Sequence, residues 1–273
     1  MQSNFMDFEF GKLHYSTSIS GHKNTIIFLH AFHSSAAASS KICNLLKDKF
    51  NLICLDFQGH GLSPHLDMNQ YSHYYGFAGA AKVLIEFLNN LKNLKLENII
   101  LVGDSLGGNT MARALPHLKN IKGLVFIASI QAENKDIAFK IMFPEAPLDL
   151  MFKKDLNTQE IEKLAQAYAC KELELMAVDI TNTDPNFREH FPRNIESEEW
   201  VDEVKMLKNN PLPLLYILGK QDGFVNAVFY KKILLERGLA ESQIKLLDQA
   251  GHVCHLDQPE ICAQLISEFA NKI

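Results

Sequence analysis

The stretch "IILVGDSLGGNT", Ile99 to Thr110, sets a run of branched apolar residues directly against one serine between glycines. Its apolar half has the continuous Ile/Leu/Val content of a strand buried on both faces. Its second half runs into "LGGNTMARALPHL", a helix-compatible segment. Strand, Gly-x-Ser-x-Gly and helix in that order describe a sharp turn that holds Ser105 out above the end of a sheet. The pattern also arises by chance in about one chain in ten of this length. A plain Gly/Ser loop is therefore the alternative, and the rest of the chain has to choose. If Ser105 is a nucleophile, Gly103 and Gly107 keep neighbouring backbone free of Cβ clashes. The positive end of the following helix then faces the reacting centre, and Leu106 offers its backbone N–H to a developing oxyanion.

Outward from this stretch the same rhythm repeats. "NTIIFLH" (24–30), "NLICLDF" (51–57), "NIILVG" (98–103), "IKGLVFIAS" (121–129), "PLLYILG" (213–219) and "SQIKLLD" (242–248) read as strands, and "FEFGKLHYSTS" as an opening hairpin. Helical segments separate them. One carries Phe77, Ala81, Leu84, Leu88 and Leu91 on a face. Another has Asn226 as N-cap and Gly238 just past its end. A third opens at Pro259 and directs Ile261, Leu265, Ile266 and Phe269 inward. This is the alternation of an α/β protein with a mostly parallel central sheet flanked by helices. From 131 to 210 the rhythm stops, and only helical pieces rich in large apolar groups follow. The expected organisation is a core of residues 1–130 and 211–273 with a helical lid or cap inserted at 131–210.

A serine hydroxyl is a weak nucleophile until a base takes its proton, and the base needs an orienting acid. Among eleven histidines, His252 in "LLDQAGHVCHLDQPE" leaves the last strand first, after a small Ala-Gly pair. His255 is the close rival, with a hydrogen-bonded loop or cap residue as its other reading. Asp222 in "LLYILGKQDGFV" lies just past a strand in a Gly-flanked turn, where a plain turn aspartate is the alternative. Asp248 sits nearer its strand, and Asp56 precedes the serine. Ser105, Asp222, His252 is the chain order of an α/β-hydrolase triad. With "LHAF", "DFQGHGLS", "GDSLGG", "LGKQDGFV" and "AGHVCHLDQPE" in register from about Thr25 to the C-terminus, the chain resembles α/β-hydrolase fold enzymes of the serine esterase type.

The resemblance implies a second oxyanion donor, the backbone N–H of Phe32 in "LHAFHSS". Ala31 stands there where similar enzymes usually have glycine, which narrows the backbone conformations open to the loop. His30 is then a structural hydrogen-bonding residue, and "HAFH" lacks the acidic ligands a metal site would need, so neither metal nor cofactor is expected. Asp104 fills a slot that is often His, Trp or Asn in similar enzymes. A carboxylate there raises the basicity of His252 or makes a local contact.

The expected reaction is acyl transfer to water: serine carboxylesterase chemistry on small or medium apolar acyl esters. Phe139, Phe143 and Trp200 are the candidate pocket residues of the insertion. A thioesterase, an acyl-carrier methyl esterase, a C–C bond hydrolase and a perhydrolase use a similar triad and remain alternatives, as does a non-enzymatic ligand sensor on the same scaffold. Lys135, Lys140, Lys153, Lys154, Arg188 and Arg193 would receive an acyl carrier protein, or else form a solvated face.

Composition sets the outer bounds. With 47% hydrophobic and 22% charged residues and a net charge of −5, there is no basic footprint for nucleic acid. Five scattered cysteines without CxxC spacing read as reduced thiols of a cytoplasmic protein. The opening "MQSNFMDFEFGKLHYS" has no basic stretch before an apolar run, so no signal peptide is expected. No apolar run approaches a membrane span.

Overall fold

A computed structural model describes residues 1–94, 96–168, 171–197 and 200–273. Among them eight strands form one sheet: β1 (Gln2–Phe8), β2 (Gly11–Ser18), β3 (Thr25–Leu29), β4 (Asn51–Leu55), β5 (Ile99–Asp104), β6 (Ile121–Ile127), β7 (Leu214–Gly219) and β8 (Ile244–Leu247). Their spatial order is β1-β2-β4-β3-β5-β6-β7-β8. The hairpin β1–β2 joins β4 antiparallel, and every pair from β4 to β8 is parallel. This is the α/β-hydrolase arrangement, a mostly parallel sheet with helices on both faces. The opening hairpin begins earlier than expected, at Gln2, because its first strand alternates exposed and half-buried side chains and lacks an apolar run.

Alternation along the buried strands feeds two core layers. Ile27 and Leu29 face one, with the helices Phe77–Asn90, Leu106–Ala114 and Ala227–Glu236. Ile26 and Phe28 face the other, with Ser40–Leu46 and Pro259–Ala270. Fully burying each such Ile, Leu or Phe stabilises by about 1.5–3 kcal/mol before chain entropy is charged against it.

Local signals set most helix ends. The Asn226 side chain accepts the Phe229 N–H at 3.0 Å. Gly238, at φ 92°, closes the same helix as Leu239 N–H reaches the Leu234 carbonyl and Gly238 N–H that of Leu235. The last helix keeps its expected face except at Ile261: Ile266 is buried and Leu265 and Phe269 pack partly buried against the core. Cys262, Ala263, Ile266 and Ala270 point inward and Ile261 is 44% exposed. Small residues let this helix settle close to the sheet. Gly123 of β6 makes room for Phe269 and Ile273, since a Cβ there would lie 2.4 Å from Ile273 Cδ1.

Between β6 and β7 the chain builds helices Lys135–Ile141, Leu148–Met151, Thr158–Tyr168, Leu173–Asn182, Pro185–Ser197 and Glu203–Asn209. Cys43, Cys54, Cys254 and Cys262 are buried free thiols, whereas Cys170 lies outside the described residues. No helix of the described residues is long and apolar enough to cross a membrane.

Parallel strands end at one rim, so the loops after β3, β5, β7 and β8 share an edge. From β3 the chain steps outward to β4, then returns beyond β3 to β5. The crevice between the β3 and β5 loops is therefore the topological switch point, where open α/β sheets bind ligands.

Candidate active site

Ser105 occupies the turn from β5 into the helix Leu106–Ala114 with φ 47° and ψ −109°, a conformation that L-residues avoid. Surrounding bonds hold it there. Its N–H donates to the Ile127 carbonyl of β6 at 2.9 Å. Its carbonyl accepts from Ser129 Oγ (2.9 Å) and from the N–H groups of Gly108 and Asn109. The turn also demands glycine. A Cβ on Gly107 would sit 2.1 Å from the Leu29 carbonyl oxygen, and one on Gly103 2.5 Å from the Gly108 nitrogen. Leu106, first in its helix, carries an amide that no carbonyl inside the helix can reach.

The β3 loop approaches from the other side. His30 Nε2 accepts the Phe57 N–H at 2.9 Å and its Nδ1 faces the Ala31 carbonyl at 2.7 Å, so the ring is a structural brace. Burial holds its pKa below the ordinary value, against the charge of Asp56 and the Ala31 hydrogen bond. The left-handed position of this loop falls on His33 (φ 58°) and not on Ala31, which explains why alanine is tolerated there. Phe32 packs its ring against Phe187 and Phe191, with centroids 4.9 and 5.0 Å away.

His252, in the loop after β8, places Nδ1 2.8 Å from Asp222 Oδ2, and both side chains are buried. The other Asp222 oxygen accepts the N–H groups of Phe224 (2.7 Å) and Val225 (2.9 Å), which fixes the carboxylate. With Nδ1 donating to Asp222, Nε2 is the free acceptor of a neutral ring. Burial pushes the His252 pKa down, but the charge and hydrogen bond of Asp222, helped by Asp104, outweigh it and hold the pKa above the ordinary value. Gly219 lets the two loops meet, since a Cβ there would lie 2.2 Å from the Gly251 carbonyl oxygen.

Ser105, Leu106, Phe32 and His252 line one cavity of about 460 Å³. Most of its remaining wall is apolar and comes from the insertion. Phe139 and Trp200 belong to it, and Phe139 is 61% exposed at its mouth. Phe143 corrects the sequence expectation: it does not line the cavity, because its N–H is drawn to the Phe224 carbonyl at 2.8 Å and the chain turns there. Met142, Met151 and Phe152 take the wall positions instead.

The rival residues are occupied elsewhere. Asp248 is exposed and pairs with Lys220 at 2.5 Å. Asp56 is buried under His14 (2.7 Å) and the Ala36 and Leu62 amides. His255 is buried in the short helix Cys254–Asp257 with Nδ1 3.2 Å from Asp104 and does not line the cavity.

Two contributors escaped the sequence reading. Tyr168 and Phe224 clamp the His252 ring, with centroids 5.6 and 5.0 Å away. Behind the serine, Glu203 receives Arg113 Nε (2.7 Å) and Asn109 Nδ2 (2.8 Å) out of contact with solvent. Burial pushes its pKa up to about 7 against the pull of Arg113 and Asn109. No local pattern announces partners 90 residues apart. The basic side chains of the insertion are engaged as well. Arg188 is buried on the carbonyls of Lys153, Lys154, Ile180 and Thr183. Lys153 pairs with Glu160, and Lys154 and Arg193 share Glu189. Lys135 donates to the Ile195 carbonyl, and Lys140 lies 6.0 Å from the Phe229 ring centroid. No group of three or more His, Cys, Asp or Glu arranged to hold a metal ion occurs among the described residues.

Comparison with known proteins supports the α/β-hydrolase fold and a hydrolase family. A model of the family described as serine aminopeptidase, S33 matches residues 20–259. The uncharacterized hydrolase YugF of Bacillus subtilis is 26% identical over 256 residues, 90% of this chain and 90% of that protein. The monoacylglycerol lipase ABHD6 of Bos taurus is 24% identical over 268 residues, 91% of this chain and 76% of its own. A crystal structure of the N-acyl homoserine lactonase AidH complexed with N-butanoyl homoserine superposes with a TM-score of 0.86 at 18% identity, covering 100% of this chain and 97% of that one, a likeness of fold.

Proposed function

This chain belongs to the serine aminopeptidase S33 family of α/β-hydrolases, and from that premise we propose that it is a serine hydrolase cleaving carboxylic esters of small to medium apolar acyl groups. The observation that carries the reading is that His252, held by Asp222 at 2.8 Å, lines a cavity that Ser105 also lines. In this reaction Ser105 Oγ attacks the ester carbonyl as His252 Nε2 takes its proton, and Asp222 stabilises the imidazolium. The amides of Phe32 and Leu106 receive the oxyanion. His252 returns the proton to the leaving alcohol, and a water activated by the same imidazole frees the acid from Ser105.

The apolar wall speaks for the acyl part. A cavity of about 460 Å³ lies at the lower end of small-molecule sites. Residues 131–210 act here as the cap over a core of 1–130 and 211–273. The four buried thiols fit a reducing, cytoplasmic setting. The test is a panel of p-nitrophenyl esters and matching thioesters graded by acyl length, with fluorophosphonate labelling of the serine. Ser105→Ala is expected to lose about four to six powers of ten in kcat/KM and all labelling. Undiminished turnover by pure Ser105→Ala protein ends the reading.

A further inference from the structure

Asp104 ends β5 one residue before the serine and is 3% exposed. Among the described residues, neither of its carboxylate oxygens has a hydrogen-bond partner, and the same holds for both ring nitrogens of His255. The two side chains face each other at 3.2 Å, close enough for an ion pair but not aligned as a hydrogen bond. For stability alone this is a poor arrangement. A buried carboxylate without donors costs desolvation energy, and an asparagine or apolar side chain would fill the space more cheaply. Such groups cluster where a charge is used.

We propose that Asp104 and His255 form a buried positioning pair for the reaction at Ser105: the carboxylate stabilises the imidazolium that His252 becomes on taking the serine proton, and His255 holds that carboxylate in place. The proposal rests on the triad reading and adds a second acid–imidazole pair beside it. Its members stand one residue before Ser105 and three after His252 in the chain. The backbone of Asp104 is fixed in register with Ile127, so its charge has a set position relative to the serine.

Against His252 stand Asp222 from the loop after β7 at 2.8 Å and the Tyr168 ring at 5.6 Å between centroids. The charge of Asp104 on β5 adds to the rise of the His252 pKa, and burial raises that of the Tyr168 phenol with help from both carboxylates. Asp104 faces His255 at 3.2 Å; its charge also raises the pKa of His30 against burial and adds to the burial that raises the Cys254 and Cys262 thiols. Asp257 turns instead to the N–H groups of Gly251 (2.7 Å) and Lys171 (2.9 Å). Asp104 is thus a buried carboxylate one residue before Ser105, paired with His255 at 3.2 Å, and its charge acts on the His252 imidazole without a hydrogen bond to it.

The test is the pH profile of kcat/KM from pH 5 to 9 for wild type, Asp104→Asn, Asp104→Ser, His255→Gln and Ser105→Ala, with circular dichroism and Tm recorded for each. In both Asp104 variants the acid limb moves to lower pH by about half to one pH unit. The alkaline plateau falls about three- to tenfold, because the imidazolium loses a stabilising charge. His255→Gln moves both in the same direction by less. An acid limb that stays at its wild-type position in the folded Asp104 variants overturns the proposal, even if Tm drops. So does failure of both to fold, which assigns the carboxylate to the fold. A wild-type profile in His255→Gln removes that residue from the pair. Turnover surviving in Ser105→Ala defeats the triad itself, whereas a dead Ser105→Ala beside an unmoved Asp104 limb defeats only the positioning role.

Discussion

Asp179→Asn removes a buried carboxyl whose ionisation the fold opposes. Asp179 stands on the helix Leu173–Asn182, 7% exposed, and receives the Ser35 hydroxyl at 2.9 Å. Burial pushes its pKa from 3.8 up to about 7, with Ser35 pulling it down and Asp56 adding to the rise. A folded pKa above the unfolded one means that folding holds the proton more tightly. The stability this supplies is complete below about pH 3.8 and is lost as pH rises through about 7. Between pH 5 and pH 8.5 the loss amounts to about 2.5 kcal/mol, at 1.36 kcal/mol per unit of differential binding. Asparagine keeps an oxygen for Ser35 and does not titrate. The stability of Asp179→Asn relative to wild type should therefore climb by that amount over the window. Urea unfolding followed by far-UV circular dichroism at four pH values measures it. Curves that stay parallel within about 0.5 kcal/mol refute the reasoning. The site is coupled to the outcome, because Ser35 also caps the turn that follows the Phe32 loop.

Asp222→Asn should cut kcat by about four powers of ten with little change in KM, since the amide selects the wrong His252 tautomer; a loss under tenfold in a steady-state ester assay contradicts the role. With the His252 pKa raised by Asp222 and Asp104, the acid half-point of kcat/KM should lie above 6.5, and a half-point below that value counts against these carboxylates outweighing burial. Gly107→Ala forces a Cβ to 2.1 Å from the Leu29 carbonyl oxygen, so a loss of more than about 3 kcal/mol or no soluble protein is expected in a thermal melt. Met151→Trp narrows the cavity that Met151 lines and should move the preferred p-nitrophenyl ester towards shorter chains. Phe143→Ala, away from the cavity, should leave the chain-length profile as it was.

The strands were legible because a parallel sheet covered on both faces needs uninterrupted apolar runs, and those runs stand out in "TIIFL" and "IILVG". The elbow was legible because its crowding admits only glycine at Gly103 and Gly107. Sequence favoured His252 over His255 only by their order in one loop. The structure separates them by their partners, Asp222 for one and Asp104 for the other. What stayed hidden depends on contacts that no local period encodes. Ser35 meets Asp179 across 144 positions, and Tyr168 meets His252 from the middle of the insertion. Helical spacing in the insertion identifies apolar positions but not which surface they meet. Phe143 and Met142 are neighbours in sequence, and only Met142 reaches the cavity. Ile261 went astray for a related reason: the last helix turns its small residues to the sheet and leaves a large one outside.

The strain at Ser105 ties these threads together. A residue at φ 47° and ψ −109° costs about 1–3 kcal/mol, and such a geometry persists only where its surroundings over-determine it. Here three donors converge on the Ser105 carbonyl, one from Ser129 just past β6 and two from the helix, and the N–H is taken by Ile127. Relaxing the turn would break all four bonds and withdraw the hydroxyl from the cavity. The glycines at 103 and 107 contribute by letting backbone come within reach of backbone, and Ser129 contributes one of the donors. Ser129→Ala is therefore a milder probe than any change at the serine itself. It removes one of three donors to the carbonyl, so it should lower kcat by a few-fold and Tm by a few degrees together. A fall in Tm with unchanged kcat would show that the turn holds its shape without that donor, and would place the work of positioning on the helix amides alone.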